Sequence, residues 1–123
     1  MVLKRTTLHV DKPWGHEVIW ADTELYVGKI LHVNAGEALS LQYHREKDET
    51  VYVLSGYVRL EAGSSPENLE TVELRAGDAM RMRPGTVHRM EAIEESDVLE
   101  ASTPHLDDLV RLDDRYGRIK SHG

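Results

Sequence analysis

Short stretches in which apolar and polar residues alternate fill most of this chain. They cover residues 17–22, 24–33, 38–44, 50–56, 57–62, 69–75, 79–83 and 98–102. Alternation turns every second side chain toward the same face, as a half-buried strand requires. Gly, Pro and Asn residues separate the stretches and suit tight turns. The pattern predicts an all-β sandwich or barrel built from short strands.

The rest of the chain adds little regular structure to this prediction. A helical period is weak everywhere except at residues 106–112, which could form one turn or a last edge strand. The pair Ser55-Gly56 is expected to separate two strands, and the segment 63–68 to form the most flexible loop. With 123 residues, the chain fits a single domain spanning 1–123.

Composition excludes several classes of function. Lys and Arg total 15 against 22 Asp and Glu, a formal charge of -7, which argues against nucleic acid or anionic membrane as a partner. The chain has no cysteine, so any metal must be held by His, carboxylate or amide groups. The first residues contain no apolar run long enough for a signal peptide or a membrane span. A cytoplasmic protein is therefore expected.

Four polar residues lie among the apolar residues of the predicted strands and could meet at one site. Gln42 and His44 are two apart on one predicted strand and share a face, and a hairpin can bring Glu49 beside them. His88 follows the turn Arg83-Pro84-Gly85 and could face them across a barrel. The simpler interpretation is that these side chains lie on the solvent-exposed face of a sheet, or that they hydrogen bond to one another or to water inside a barrel without a metal.

As a metal site, this group would offer two imidazoles, a carboxylate and an amide oxygen. Such a mixed nitrogen and oxygen site suits one divalent ion of Zn, Mn, Fe, Co or Ni, and the ligand types alone do not choose among them. An open coordination position could polarise a substrate hydroxyl or carbonyl.

The spacing of these residues resembles the two cupin motifs. The first motif is matched by Gly36, Gln42-Tyr43-His44, Glu49 and Gly56, and the second by Gly77 and Pro84-Gly85-Thr86-Val87-His88. Gln42 stands where the family usually has a histidine, Pro84 lies one place late, and Ala92 replaces a frequent asparagine. The resemblance implies a small single-domain cupin, a jelly-roll β-barrel with the metal site in its mouth.

The glutamine and three flanking stretches are similar to one subgroup, the cupin domain of bacterial type II mannose-6-phosphate isomerases. The flanking stretches are Lys12-Pro13-Trp14-Gly15, His88-Arg89 and residues 108–118. These isomerases are often fused to a mannose-1-phosphate guanylyltransferase, but no glycine-rich nucleotide loop occurs here. The resemblance thus implies isomerase chemistry only.

Three functions follow from this resemblance. The first is an aldose–ketose isomerase acting on a sugar or sugar phosphate, in which no catalytic base can be assigned from sequence. The second is a sugar-binding or regulatory cupin without turnover. The third is a metal-dependent oxygenase, which the amide ligand disfavours because such cupins mostly use histidines.

Substrate contacts are expected from basic residues. Lys29 aligns with a lysine of the resembled isomerases, and Arg115 and Arg118 would bind phosphate if the C-terminal segment folds back over the barrel mouth. Trp14 is expected in the core rather than in the pocket. The histidines without a spacing signal are treated as structural or surface residues: His9, His16, His32, His105 and His122. A homodimer is expected, in which the segment before Lys12 adds a strand to a neighbouring sheet.

Overall fold

The computed structural model describes residues 2–119 and, in them, nine β-strands. His122 lies outside this range. The strands are β1 (Leu8–Lys12), β2 (Gly15–Asp22), β3 (Val27–Val33), β4 (Leu41–Tyr43), β5 (Glu49–Ser65), β6 (Asn68–Arg75), β7 (Ala79–Met82), β8 (Val87–Ser102) and β9 (Val110–Asp113).

All strand pairs are antiparallel, and the sheet curls into a small jelly-roll barrel. The sheet order β1-β2-β3-β8-β4-β9 places β1 and β9 at its edges, while β5 also pairs with β6, β7 and β8. Residues 106–112 thus contain a turn at 106–107 followed by the first part of the edge strand β9. The all-β prediction is confirmed.

The barrel is closed around a core of inward-facing apolar side chains. Val33, Val53, Val58, Leu60 and Val98 are fully buried and belong to one cluster. Each such side chain contributes roughly 1.5–3 kcal/mol by leaving water. The alternation read from sequence therefore reports the inner face correctly.

Two predicted boundaries differ from the structure. Ser55-Gly56 does not end a strand, because β5 continues to Ser65 with register shifts on both sides of Ser55. The positive φ of 98° at Gly56 bends the strand where another residue would be strained. The expected loop at 63–68 is a hairpin in which only Pro66 and Glu67 lie outside strands.

The ends of the described chain pair within the same subunit. Leu8–Lys12 pairs with β2, so the segment expected to join a neighbour's sheet is an edge strand of its own sheet.

Strand β8 begins at Val87, eleven residues before the predicted stretch 98–102. This first part of β8 was not predicted from sequence because Glu94 and Glu95 interrupt the alternation of apolar and polar residues.

No helix within residues 2–119 has the length and apolar composition of a membrane span.

Candidate metal centre

Three of the four predicted ligands converge at one end of the barrel. His44 follows β4, Glu49 begins β5, and His88 is the second residue of β8. Their ligand atoms all lie within 4.8 Å of one another, and all three residues are buried. The Nε2 atom of His88 is 3.0 Å, and that of His44 3.6 Å, from Oε1 of Glu49.

Local turns fix both imidazole rings. Pro84 and Gly85 form the centre of a turn closed by the bond from the Thr86 amide to the Arg83 carbonyl, and Gly85 has the φ of 83° that a type II turn needs. The Gly85 amide also donates to the His44 carbonyl over 2.7 Å, which links the two histidine-bearing segments.

The hydrogen bonds of the rings define their orientation. Nδ1 of His44 faces the Asp108 carbonyl, and Nδ1 of His88 lies 2.9 Å from the Thr86 carbonyl. A carbonyl can only accept, so each Nδ1 carries a proton and donates it, and each Nε2 is directed toward Glu49. Both Nε2 atoms are buried without a hydrogen-bond partner in the described structure.

A buried lysine holds the other oxygen of Glu49. The Nζ atom of Lys47 lies 2.9 Å from Oε2 of Glu49 and 3.0 Å from Oε2 of Glu100. Burial alone would raise the pKa of the Glu49 carboxyl, but the adjacent His44 and His88 rings and the charge of Lys47 hold that pKa well below its usual range. Glu49 is therefore an anion whose Oε1 is directed at the two imidazoles.

Asp108 supports the loop between β4 and β5. Its carboxylate accepts the backbone amides of Arg45, Glu46 and Lys47, which lowers the pKa of Asp108 to about 2. The carbonyl of the same residue accepts the His44 ring. Asp108 thus positions both His44 and the loop that carries Lys47. Residues that hold the ligands of a metal site commonly have this role.

These observations fit a divalent metal ion. Oε1 of Glu49 and two Nε2 atoms, each on a ring that donates through Nδ1, meet in a buried space, and such a nitrogen and oxygen donor set suits a divalent cation. Gln42 is the register partner of His88, and both line the same buried space as Glu49. Oε1 of Gln42 accepts a hydrogen bond from Ser40 and keeps a second lone pair.

The group opens into a cavity of about 340 Å³. Five cationic side chains and four carboxylates line it: Lys12, Lys29, Lys47, Arg111 and Arg118, with Glu17, Glu49, Glu100 and Asp107. This cavity is thus more cationic than the acidic chain as a whole. Trp14 is almost entirely buried in the core, as expected, and it also lines this cavity, which was not expected.

Lys29 lies in the cavity wall as part of a buried ion-pair cluster. Its Nζ is 3.6 Å from Oε2 of Glu17, and Nζ of Lys12 is 3.8 Å from Oε1 of the same carboxylate. Lys29 and Glu100 are register partners on β3 and β8. Alternating charges therefore run along the wall from Glu17 toward Lys47 and the ligand group.

The two C-terminal arginines lie in different surroundings. Arg118 lines the cavity and forms a bidentate pair with Asp114, with both contacts at 2.9 Å. Arg115 instead contacts Glu91 at 2.5 Å and the Gly36 carbonyl at 2.9 Å, and it is not among the cavity-lining residues. Of the two predicted phosphate ligands, only Arg118 is brought to the cavity.

Sequence reasoning missed six charged residues of this cavity, namely Lys12, Glu17, Lys47, Glu100, Asp107 and Arg111. A charged residue at an inward position of an alternating strand was the available signal for Glu17, Glu100 and Arg111. Lys47 lies in a charged turn and gave no such signal. The other histidines that the structure describes, His9, His16, His32 and His105, lie outside the ligand group, as expected.

A jelly-roll barrel with a histidine–carboxylate group in its mouth defines a class of small barrels with a candidate metal site. The family profile described as the cupin domain matches residues 29–101. The chain belongs to the cupin family.

Comparison with known proteins gives both a sequence relative and structural neighbours. The chain is 30% identical over 115 residues to the mannose-1-phosphate guanylyltransferase ManC of Salmonella typhimurium, a match covering 89% of this chain. The chain spans only 23% of that relative's length.

Solved structures with the same fold include KdgF from Halomonas sp., with a TM-score of 0.69 and 24% identity over 84% of this chain and 89% of that one. Oxalate decarboxylase from Bacillus subtilis has a TM-score of 0.76 and 16% identity over 86% of this chain and 30% of that one. At such identities the likeness concerns the fold alone.

Proposed function

We propose that the protein is a metal-dependent aldose–ketose isomerase acting on a sugar or sugar phosphate. The observation that carries this proposal is the pair of buried, unpartnered Nε2 atoms beside the Glu49 carboxylate, at the base of a cavity lined by ion-paired acids and lysines. The similarity to a mannose-1-phosphate guanylyltransferase supports a sugar phosphate as the class of ligand.

His44, Glu49 and His88 would hold the ion, and Gln42 would be its fourth ligand through Oε1. Zn, Mn, Co, Ni or Fe in the divalent state fits this donor set. When bound, the ion would polarise the carbonyl and hydroxyl oxygens of a ring-opened sugar. Lys47 keeps Glu49 anionic and leaves Oε1 free for this role.

Isomerisation requires a group that moves a proton between two neighbouring carbons. Glu17 is the carboxylate best suited to this in the cavity wall, because it is buried yet faces the cavity, is not part of the ligand group and, unlike Glu100, is not paired with the Lys47 that holds Glu49. Lys29 and Lys12 flank it and would bind substrate oxygens while balancing the carboxylate charge. Arg118 would contact the more distant part of the sugar.

A sugar-binding or regulatory cupin without turnover is the second candidate. The observation that favours it is the short span of the match, since the chain corresponds to 23% of the curated relative. A metal-dependent oxygenase is the third candidate, and the two-histidine donor set favours it less than it favours the isomerase.

The deciding experiment is conversion of mannose 6-phosphate to fructose 6-phosphate by protein reloaded separately with each of the five metals. We expect turnover in the parent and a loss of at least 100-fold in Glu17→Gln, which should still bind the metal. Turnover without any added or retained metal would contradict the proposal. Metal and sugar phosphate binding without turnover would support the second candidate, and dioxygen consumption the third.

We also propose that the protein is a cytoplasmic homodimer. The outer edge of β1 carries no partner strand within the described sheet, and Val2, Leu3 and Leu8 near it are exposed. A second copy could cover this edge. Light scattering should give about twice the 14.0 kDa chain mass, and a particle of one chain at micromolar concentration would contradict the dimer.

A further inference from the structure

Arg111 differs from every other cationic residue that lines the cavity. Lys12 and Lys29 share Glu17, and Lys47 bridges Glu49 and Glu100. Arg118 is held by both oxygens of Asp114, whose side chain is fully buried. Within residues 2–119, no carboxylate lies within 4.0 Å of the Arg111 guanidinium.

The Arg111 guanidinium is also incompletely hydrogen bonded. Its Nε atom is buried and has no hydrogen-bond partner among the described residues. Burial lowers the pKa of Arg111, the nearby charge of Arg118 lowers it further, and the charge of Asp114 partly opposes both effects. An arginine stays charged even so, because its pKa remains far above neutral pH. Two guanidinium groups therefore lie near one carboxylate, which Arg118 already holds, and an arriving anion would balance the remaining positive charge in this partly desolvated place.

The sheet register sets where this cation lies. Gln42 on β4 pairs with Arg111 on β9 on one side and with His88 on β8 on the other. Arg111, Gln42 and His88 thus form one row across three neighbouring strands. Neighbouring strands lie about 4.8 Å apart, so the backbone of Arg111 lies roughly 5 Å from that of Gln42 and roughly 10 Å from that of His88.

We propose that Arg111 is the anchor of an anion subsite that receives a carboxylate or phosphate group of the ligand bound in this cavity. The proposal rests on the proposed function only in taking the cavity as the ligand site. A guanidinium offers two parallel N–H donors that match the oxygens of either anion. Because Arg111 lies in one row with Gln42 and His88, the anionic group would bind close to the candidate metal site. The molecule bound in the cavity is therefore a compact sugar acid or sugar phosphate.

The test measures anion binding rather than turnover. Inorganic phosphate and glycolate are titrated by calorimetry into the parent, Arg111→Gln and Arg111→Lys, each with and without bound Zn²⁺. The metal-free series isolates Arg111, because there the anion has no ion to ligate. Arg59→Gln is the matched control, since Arg59 pairs with Glu73 and Glu91 and does not line the cavity.

In metal-free protein we expect Arg111→Gln to weaken anion binding about tenfold or more, the scale of a lost charge-assisted contact. Arg111→Lys should recover only part of it, because an ammonium lacks the guanidinium fork, and Arg59→Gln should match the parent. The anion that binds more tightly, phosphate or glycolate, indicates whether the subsite receives a phosphate or a carboxylate group. Circular dichroism melting of each variant shows that loss of binding is not loss of fold.

Equal binding by the parent and Arg111→Gln, an equal loss in Arg59→Gln, or no binding of either anion by the parent would overturn the subsite. These outcomes are separate from those of the isomerase assay. If anion binding depends on Arg111 but no turnover occurs, the isomerase proposal is wrong and the subsite proposal stands. If turnover occurs and Arg111→Gln does not change it, the isomerase proposal stands and the subsite proposal is wrong.

Discussion

The ammonium group of Lys47 lies 2.9 Å from Oε2 of Glu49, and both side chains are buried. The same ammonium contacts Glu100 at 3.0 Å, and the two carboxylates raise the pKa of Lys47 despite the opposing effect of burial. Lys47 thus offsets one of the two negative charges of a buried pair of acids, one of which belongs to the candidate metal centre. Its removal would leave both carboxylates in the barrel without a cation.

We expect Lys47→Met to lower the free energy of unfolding of metal-free protein by about 3–5 kcal/mol, the cost of breaking a buried pair from one side. Adding Glu100→Gln should restore part of this loss, because one unpaired charge is then removed. Urea unfolding of both variants and the parent gives the measurement. A single variant as stable as the parent would mean that water reaches these carboxylates.

Removal of one metal ligand should affect binding more than folding. We expect His88→Ala to lower the affinity for Zn²⁺ at least tenfold while folding as the parent does, because the core cluster that stabilises the barrel consists of apolar side chains and does not include His88. Zn²⁺ at 100 times its dissociation constant should stabilise the parent by about 2.7 kcal/mol. His105→Ala, outside the ligand group, is the control. Metal content and thermal melting with added Zn²⁺ report both effects, and equal metal content in all three proteins would contradict the site.

The bend of β5 should tolerate no side chain at Gly56. A Cβ there would lie 2.2 Å from Oγ of Ser96, in a backbone with φ of 98°. Gly77 has nearly the same φ, 95°, and open space around it. We expect Gly77→Ala to cost about 1 kcal/mol of backbone strain, and Gly56→Ala about 1–3 kcal/mol more from the clash. Denaturant midpoints measure the difference, and equal losses would show that the strand shifts to make room.

His32 should make stability depend on pH near neutrality. A hydrogen bond to Asp97 raises the pKa of His32, burial opposes this, and Glu95 adds to the rise. Its ring stacks on that of His16, which stacks in turn on His9.

Because the folded-state pKa is above the usual 6.5, the contribution of His32 is fully present below pH 6.5 and is lost as pH rises through the folded-state value. We expect His32→Asn and Asp97→Asn each to flatten the fall in melting temperature over that window. Curves parallel to that of the parent would assign the pH dependence to other groups.

The sequence determined the strands, the inner face and most of the ligand group. Side-chain direction in a strand alternates residue by residue, so positions such as Val51, Val53 and Val98 report burial without knowledge of the fold. His44 and Glu49 were readable together because a short turn joins β4 to β5, whereas His88 joined them only through the resemblance to the cupin motifs. The long continuous β5 was not readable, since Ser55-Gly56 marks a turn in most contexts but a bend in this one.

Only the tertiary structure decided which charges are paired. Arg115 and Arg118 looked alike in sequence, yet one contacts Glu91 outside the cavity and the other contacts Asp114 inside it. Arg111 became notable because β9 pairs with β4, which places it next to Gln42. Ion pairs form across strands that are distant in the chain, so their partners depend on sheet order and register. Local periodicity carries no information about either, and for that reason the charged wall of the cavity appears only in the folded barrel.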